Sequence, residues 1–323
     1  MKIIITGCAG FIGANFTQYW LDNYSDDVIV GVDCLTYASN LTQLKKLRKN
    51  PRLHFYKTDI CDREEIYRIV KTENPDVIVN FAAESHVDNS IQTPDIFMKT
   101  NVLGTQVLLD ACVKFDVKRF HQISTDEVYG DLPLDSNERF AENSPLKPSS
   151  PYSASKAAAD LLVLAYFRTY GLSVTISRST NNYGKYQHEE KLIPKIIKTA
   201  GTGMRIPIYG DGKNVRDWLH ADDHCRAIDV ILRKGKIGEI YNIAGNNEID
   251  NLALAKQILR ILGRNNEQIA FVEDRKGHDR RYSVSAQKMI TELGWQAEMS
   301  FKKGLRETVM YYKNKKNKIP CMR

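Results

Sequence analysis

The 323-residue chain reads as an α/β protein, a doubly wound parallel sheet joined to a smaller, partly interleaved α/β domain for substrate. Two observations carry that expectation. A short apolar run, Ile3 to Ile5, ends at Thr6 and opens into glycines at positions 7, 10 and 13. Further short runs follow at Val28 to Val32, Leu53 to Tyr56 and Val77 to Phe81, separated by helix-length segments. Strands alternating with helices at this spacing build parallel sheets covered on both faces.

Bulk composition fits an ordinary globular chain, with 42% hydrophobic and 26% charged residues and a net charge of +7. The dense basic run, Lys313 to Lys318, has no interleaved aromatics, so a solvated tail is expected and a nucleic-acid partner is not. Six cysteines (Cys8, Cys34, Cys61, Cys112, Cys225, Cys321) show neither C-x-x-C pairs nor zinc spacing, which suits reduced thiols and no metal site. The N-terminus runs straight into Lys2-Ile3-Ile4-Ile5-Thr6 without a signal-like region, and no apolar run is long enough to span a membrane. A cytoplasmic protein with no membrane partner is expected.

In chain order, Gly7, Gly10 and Gly13 are spaced G-x-x-G-x-x-G. Glycines at such a strand-to-helix turn let the backbone approach a pyrophosphate seated on the next helix N-terminus, which makes Gly7, Gly10, Phe11, Ile12 and Gly13 candidate cofactor contacts. An amphipathic helix is expected over Asn15 to Asn23. The second strand then ends at Asp33, where a carboxylate can bond the adenosine ribose hydroxyls and would repel a 2′-phosphate; Cys34 supplies no compensating cation, so NAD is favoured over NADP. The third and fourth runs end near Asp59, Ile60 and Ala82, and a helix is expected from Thr100 to Lys114, adding Asp59, Ile60, Ala82 and Thr100 to the cofactor candidates. The cofactor domain is placed at 1–181 and the mainly substrate-binding domain at 182–323, with some segments of the latter returning to the first.

The chemistry centres on Ser124-Thr125-Asp126-Glu127-Val128-Tyr129-Gly130, where the apolar run Lys118 to Ile123 ends in a hydroxyl and two adjacent carboxylates. Two neighbouring carboxyls resist ionising together, so one can serve as acid while the other serves as base. An N-cap plus a surface acid is the plain structural alternative. Tyr152 and Lys156 lie four apart and share a helix face. The ammonium is expected to lower the phenol pKa, so that Tyr152 can take a proton from a substrate hydroxyl, while Lys156 also holds the nicotinamide ribose.

The ordered motifs resemble the extended short-chain dehydrogenase/reductase superfamily, and within it the dTDP-glucose 4,6-dehydratases and related nucleotide-sugar enzymes. They run from Thr6-Gly7 to Phe16, through Leu35 to Ala38, Asn80 to Val87, Ser124 to Gly130, Ser150 to Lys156, Asn181 to Gly184, Glu190 to Pro194 and Tyr209 to Trp218, to Gly277 to Tyr282. The resemblance implies a Rossmann fold, tightly bound NAD regenerated each turn, and a homodimer packed through helices starting near Asn101 and Tyr152. It also implies roles: Tyr152 as base at the sugar 4-hydroxyl, Thr125 on the 4-keto oxygen, Glu127 as base at C5 with retention there, and Asp126 as acid to the leaving 6-hydroxyl. For the nucleotide diphosphate it points to Asn182, Lys191, Arg216, Asn251, Arg275 and His278, and for the hexose to Ser85, His86 and Tyr209. Arg216 could instead pair with Asp217 or Asp222, and His278 could be a satisfied loop histidine.

Some positions depart from the dTDP-glucose pattern: Cys34, Asn89, Ser179-Thr180, Lys185 and Ser283-Val284-Ser285. An Asn at position 89 in place of Arg could make room for, and bond, a 2-acetamido group. The expected substrate is therefore UDP-N-acetylglucosamine, with dTDP-glucose as the alternative. A nucleotide-sugar 4-epimerase or reductase would share the glycines and Tyr152/Lys156 but has no need of the Asp126-Glu127 pair. A non-catalytic NAD-binding regulator would need neither pair.

Overall fold

The computed structural model describes residues 1–316. The end of the basic run, at residues 317 and 318, and Cys321 lie outside the described residues.

Strand β1 (Lys2–Thr6) leads through the glycine turn into α1 (Phe11–Asn23), and β2 (Val28–Asp33), α2 (Leu41–Leu47), β3 (Leu53–Lys57), α3 (Arg63–Glu73) and β4 (Val77–Asn80) continue the alternation. The short helices α4 (Val87–Gln92) and α5 (Pro94–Phe97) follow, and α5 runs through a π-helical stretch (Met98–Gly104) into α6 (Thr105–Lys114). Next come β5 (Arg119–Thr125), a 3₁₀ turn (Asp126–Tyr129) and the long helix α7 (Pro151–Tyr170). Beyond it lie β6 (Val174–Ser179), β7 (Asn181–Tyr183), α8 (Leu192–Ala200), β8 (Ile206–Tyr209), β9 (Val215–His220), α9 (Ala221–Lys234) and β10 (Ile240–Ile243). The chain closes with β11 (Glu248–Asp250), α10 (Asn251–Leu262), β12 (Ile269–Val272), α11 (Gln287–Leu293) and α12 (Phe301–Lys316).

Seven strands form one sheet in the order β10-β6-β5-β4-β1-β2-β3, and every pairing in it is parallel. Period-2 alternation splits its side chains between two cores. Ile4, Val30, Ile78 and Phe120 pack on one face against α3, α6 and α7, while Ile3, Ile5, Ile29 and Val79 pack on the other against α1 and α9. Because β1 pairs with both β2 and β4, strand order reverses there, and the crevice at the strand C-terminal ends is where ligands bind in such sheets.

Two small sheets, β11-β9-β7 and β12-β8, stand beyond that crevice, with a separate core of Ile193, Ile197, Ile206, Leu254 and Leu305 around α8, α10 and α12. Helix α9, although it follows β9, packs against α1, and β10 returns to the edge of the large sheet.

Two helix starts differ from the sequence expectation. Helix α1 begins at Phe11 rather than Asn15, because Gly10 already accepts the Ala14 N–H and so opens the helical ladder within the glycine turn. The helix expected from Thr100 is already under way at Pro94, a residue whose fixed φ suits a first helical position, and its π-helical stretch includes Asn101 and Gly104. A Cβ on Gly104 would stand 2.5 Å from Ile60 Cδ1, so any larger residue here would have to displace the Ile60 side chain.

Candidate active site

The crevice is a cavity of about 490 Å³ running from the glycine turn to the start of α8. At one end Gly7 has φ +65°, and a Cβ there would lie 2.8 Å from Ala82 N; a Cβ on Gly13 would lie 2.2 Å from Gly7 O. Only glycine backbone fits so tight a turn, and it leaves Gly10, Phe11 and Ile12 free to line the cavity at the N-terminus of α1. The buried Asp33 carboxylate accepts the Ala9 N–H at 2.9 Å through Oδ2, and Leu35 N–H (2.8 Å) and Ser39 Oγ (3.2 Å) through Oδ1. It therefore braces the glycine turn as well as facing the cavity. Asp59, Ile60, Ala82 and Thr100 complete this half as expected.

Asn101, which sequence reasoning passed over except as a helix start, is buried on the π-helical stretch. Its Oδ1 accepts Glu84 N–H at 2.9 Å, and its Nδ2 donates to Glu84 O at 3.0 Å and Ser155 Oγ at 2.8 Å. One amide thus pins the strand-end loop to α7.

At the middle of the cavity β5 delivers Thr125, and the 3₁₀ turn presents Asp126 and Glu127. Thr125 caps that turn by accepting the Glu127 N–H at 3.3 Å, and its hydroxyl also donates to Asp126 Oδ1 at 3.2 Å. Asp126 Oδ2 is buried with no hydrogen-bond partner. The alternative of a cap plus a surface acid is therefore not what forms: threonine is the cap, and both acids face the cavity.

Their surroundings differ. Burial, then the charges of Glu127 and Asp217, push the Asp126 carboxyl well above the ordinary carboxylate range. Burial also raises Glu127, but three cations, Arg216, Arg275 and Lys191, oppose it. Asp126 is the proton holder of the pair and Glu127 the group more easily kept ionised.

Helix α7 begins with a capping box in which Ser150 and Ser153 bond reciprocally, and Pro151 sits at its first position. One turn in, Tyr152 and Lys156 face the cavity. The expected lowering of the phenol by Lys156 is not found. Burial and the Glu127 charge raise the Tyr152 phenol, opposed by a hydrogen bond with the Thr125 hydroxyl. Burial lowers the Lys156 amine to about 8, and Nζ donates to Ile123 O at 2.5 Å. Spacing on a helix face placed both groups correctly; it could not reveal that a backbone carbonyl of β5 takes the lysine.

At the far end Ser85, Asn182 and Lys191 line the cavity, and Lys191 Nζ donates to Ser85 O at 2.7 Å. Burial lowers the Lys191 amine. The Asn182 side chain is committed inside the protein: Oδ1 accepts from His224 Nδ1 at 2.9 Å, and Nδ2 donates to Ser179 Oγ and Thr180 O.

The other substrate candidates stand outside the cavity lining. His86 caps α4 and holds Nε2 3.8 Å from Glu190. Tyr209 donates to Asp88 Oδ2 at 3.4 Å, and Arg275 Nη1 lies 3.4 Å from Asp88 Oδ1, an acid that the sequence reading did not single out. Arg216 pairs with neither Asp217 nor Asp222; it donates to Val215 O and Asp279 O with its guanidinium 4.1 Å over the Tyr282 ring. Asp217 instead accepts the N–H groups of Gly245, Asn246 and Asn247. His278 is the satisfied loop histidine, Nδ1 2.5 Å from Asp274 Oδ1. Asn251 opens α10 with a buried, unpartnered Oδ1.

The family model for GDP-mannose 4,6 dehydratase matches residues 4–308. The chain is 51% identical to the low-salt glycan biosynthesis protein Agl12 of Haloferax volcanii, over 97% of this chain and 98% of that one. It is 47% identical to dTDP-glucose 4,6-dehydratase of Haemophilus influenzae over the same shares. Among solved structures, dTDP-glucose 4,6-dehydratase of Streptomyces venezuelae with NAD bound superposes with a TM-score of 0.95 at 46% identity, covering 98% of each chain.

Proposed function

The chain belongs to the GDP-mannose 4,6 dehydratase family and is an NAD-dependent nucleotide-sugar 4,6-dehydratase; within that family we propose that its substrate is dTDP-glucose, converted to the 4-keto-6-deoxy sugar with retention at C5. The expectation of UDP-N-acetylglucosamine gives way to its alternative. Relatives with 45–47% identity across nearly the whole chain carry the dTDP-glucose name. The departures that favoured the acetamido sugar also lose their force. Asn89 Nδ2 donates to Tyr37 OH at 3.3 Å, outside the cavity lining, and Ser283 Oγ donates to Glu248 at 2.7 Å. Ser179 and Thr180 do line the cavity, but Ser179 Oγ and the Thr180 carbonyl both accept from Asn182.

The observation that carries the mechanism is the unequal setting of the two acids. Glu127, the more readily ionised, takes the C5 proton; Asp126, held neutral, gives its proton to the departing 6-oxygen, and water leaves. Glu127 then returns a proton to C5 on the same face. Tyr152 takes the 4-hydroxyl proton as the phenolate, a form that its hydrogen bond with Thr125 favours and that the positive ring of bound NAD would favour further against burial, and Thr125 donates to the 4-keto oxygen. Loss of the 4-hydroxyl proton accompanies oxidation at C4, which makes the C5–H acidic.

The tight glycine turn and Asp33 fit a dinucleotide without a 2′-phosphate, held by Gly7, Gly10, Phe11, Ile12, Gly13, Asp33, Asp59, Ile60, Ala82, Thr100, Tyr152 and Lys156. NAD, when bound, supplies a hydride acceptor for C4 and the same hydride for C6, together with a cationic ring in the pocket that Tyr152 lines. Lys191, Arg216 and Arg275 are the cations assigned to the diphosphate, with Asn182 and Asn251 towards the nucleotide and Ser85, His86 and Tyr209 towards the hexose, while His278, bonded to Asp274, drops out of that set. Exposed Ile96, Leu103 and Leu161 on α5, the π-helical stretch and α7 support a homodimer through those helices, which sedimentation checks. Nucleotide-sugar chemistry suits a cytoplasmic enzyme; fractionation checks that.

The test is to incubate purified protein separately with dTDP-glucose and UDP-N-acetylglucosamine and to weigh the products. Loss of one water from dTDP-glucose is expected. Turnover confined to the acetamido sugar would overturn the substrate assignment.

A further inference from the structure

Behind the reacting face of α7 lies an ion pair that the mechanism does not use. Arg178 on β6 and Asp160 on α7 are both fully buried, with Arg178 Nε 2.9 Å from Asp160 Oδ2. The same Oδ2 accepts from Ser124 Oγ at 2.9 Å. Arg178 Nη1 continues to Tyr129 OH at 2.9 Å, with its guanidinium 4.9 Å over the Tyr129 ring, and Tyr129 OH donates to Asn242 Oδ1 at 2.7 Å. A buried pair of this kind costs desolvation and is a poor source of stability, so a role beyond holding the fold together is worth seeking.

Its two ends supply one. Tyr152, Lys156 and Asp160 are spaced four apart on one helix face, so Asp160 lies a single turn behind Lys156. Tyr129 closes the 3₁₀ turn whose first residues are Asp126 and Glu127. The network therefore runs from the helix carrying the tyrosine and lysine, through β5 and β6, to the turn carrying the two acids.

We propose that Asp160 is a positioning residue for the reaction: its carboxylate, fixed by Arg178 and Ser124 one helical turn behind Lys156, places a negative charge beside that lysine and, through Arg178 and Tyr129, locks the Tyr152–Lys156 helix to the Asp126–Glu127 turn. The proposal rests on the dehydratase reading given above. Tyr152 and Asp160 flank Lys156 one turn to either side on its own helix, Asp126 and Glu127 line the same cavity, and the acid turn and β6, which pack against α7, also carry Tyr129 and Arg178. Of these, Asp160 is the one that opposes the lowering of the lysine by burial. An ammonium so placed keeps a positive charge on the cavity side of α7 at neutral pH, where a neutral amine would offer none.

The experiment compares pH profiles of kcat/KM for water loss from dTDP-glucose in wild type, Asp160→Asn, Asp160→Asn with Arg178→Gln, and Tyr129→Phe. Removing the Asp160 charge is expected to move the basic limb to lower pH by about one unit, roughly a tenfold loss at fixed alkaline pH that is recovered on acidification. The double variant does not leave Arg178 as an unpaired buried charge and is expected to show the same shift, which guards against misfolding of the single one. Tyr129→Phe removes one hydroxyl; it is expected to leave the limb in place and to lower kcat about tenfold with KM unchanged. An unmoved basic limb in either charge variant, or wild-type kcat in Tyr129→Phe, overturns the proposal. Wild-type protein that loses no water from dTDP-glucose would instead refute the dehydratase reading itself.

Discussion

Replacing Asp126 by Asn isolates the proton that the buried acid is assigned to carry. The side chain keeps its shape, and its Oδ1 can still accept from Thr125 Oγ1, which now lies at 3.2 Å. What disappears is a carboxyl whose Oδ2 is buried without a partner and whose pKa is raised by burial and by Glu127. Losing a positioned general acid lowers kcat by on the order of 10²- to 10⁴-fold, about 3 to 5 kcal/mol of barrier, at the water-loss step. Oxidation at C4 does not need that acid, so mixing the variant with dTDP-glucose in stopped flow should give a rapid rise in NADH absorbance that decays far more slowly than in wild type. The stability consequence has a definite sign. Because folding raises the Asp126 pKa, its stabilising contribution is fully present below the unfolded value of about 4 and is lost as pH rises towards the folded pKa. The variant lacks that titration, so unfolding measured against pH should show the gap moving in its favour by about 1.4 kcal/mol per pH unit over that window. A kcat within threefold of wild type together with a flat stability gap would refute the assignment.

Other positions give further expected outcomes. Gly13→Ala forces a Cβ to 2.2 Å from Gly7 O, so the turn must open; NAD affinity measured by calorimetry should fall more than tenfold, and an unchanged Kd would contradict the cradle. Tyr152→Phe keeps the ring and removes the proton acceptor, so no NADH transient should form with dTDP-glucose, in contrast to Asp126→Asn. Lys191→Gln removes a half-buried cation that opposes the raising of Glu127; the Glu127 carboxyl should rise further, moving the acidic limb of kcat/KM to higher pH, whereas an unmoved limb would remove lysine from the set of cations acting on that acid.

Much of this was legible from sequence because it depends on local rules. The glycine spacing, the apolar runs and the helical spacing of Tyr152 and Lys156 each follow from backbone geometry within a few residues, and the structure brings all the cofactor candidates to one cavity. Contacts between distant segments were not legible in the same way. Nothing in the neighbourhood of Lys156 signals that Ile123 O takes its ammonium, nor does the sequence around Asn182 reveal His224 as its partner. Asn89 is a further case: it sits near a motif in the sequence without facing the sugar, because its amide meets Tyr37 at the exposed rim. Asn101 was within reach, since a buried polar residue flanked by Thr100 and Gly104 ahead of an apolar helix invites the question of what it bonds.

The role assigned to Asp126 and Glu127 is to turn a nicotinamide-dependent oxidation into an internal dehydration. The most direct test follows the hydrogens of dTDP-glucose carrying deuterium at C4, incubated with the protein in ordinary water, with a parallel run of unlabelled substrate in deuterated water. Loss of one water is expected in both runs, with transfer of the C4 label to C6 within the same molecule and solvent deuterium at C5 with retained configuration. Label that returns to C4, with no loss of water, would contradict it and identify the pair as bystanders in an epimerase.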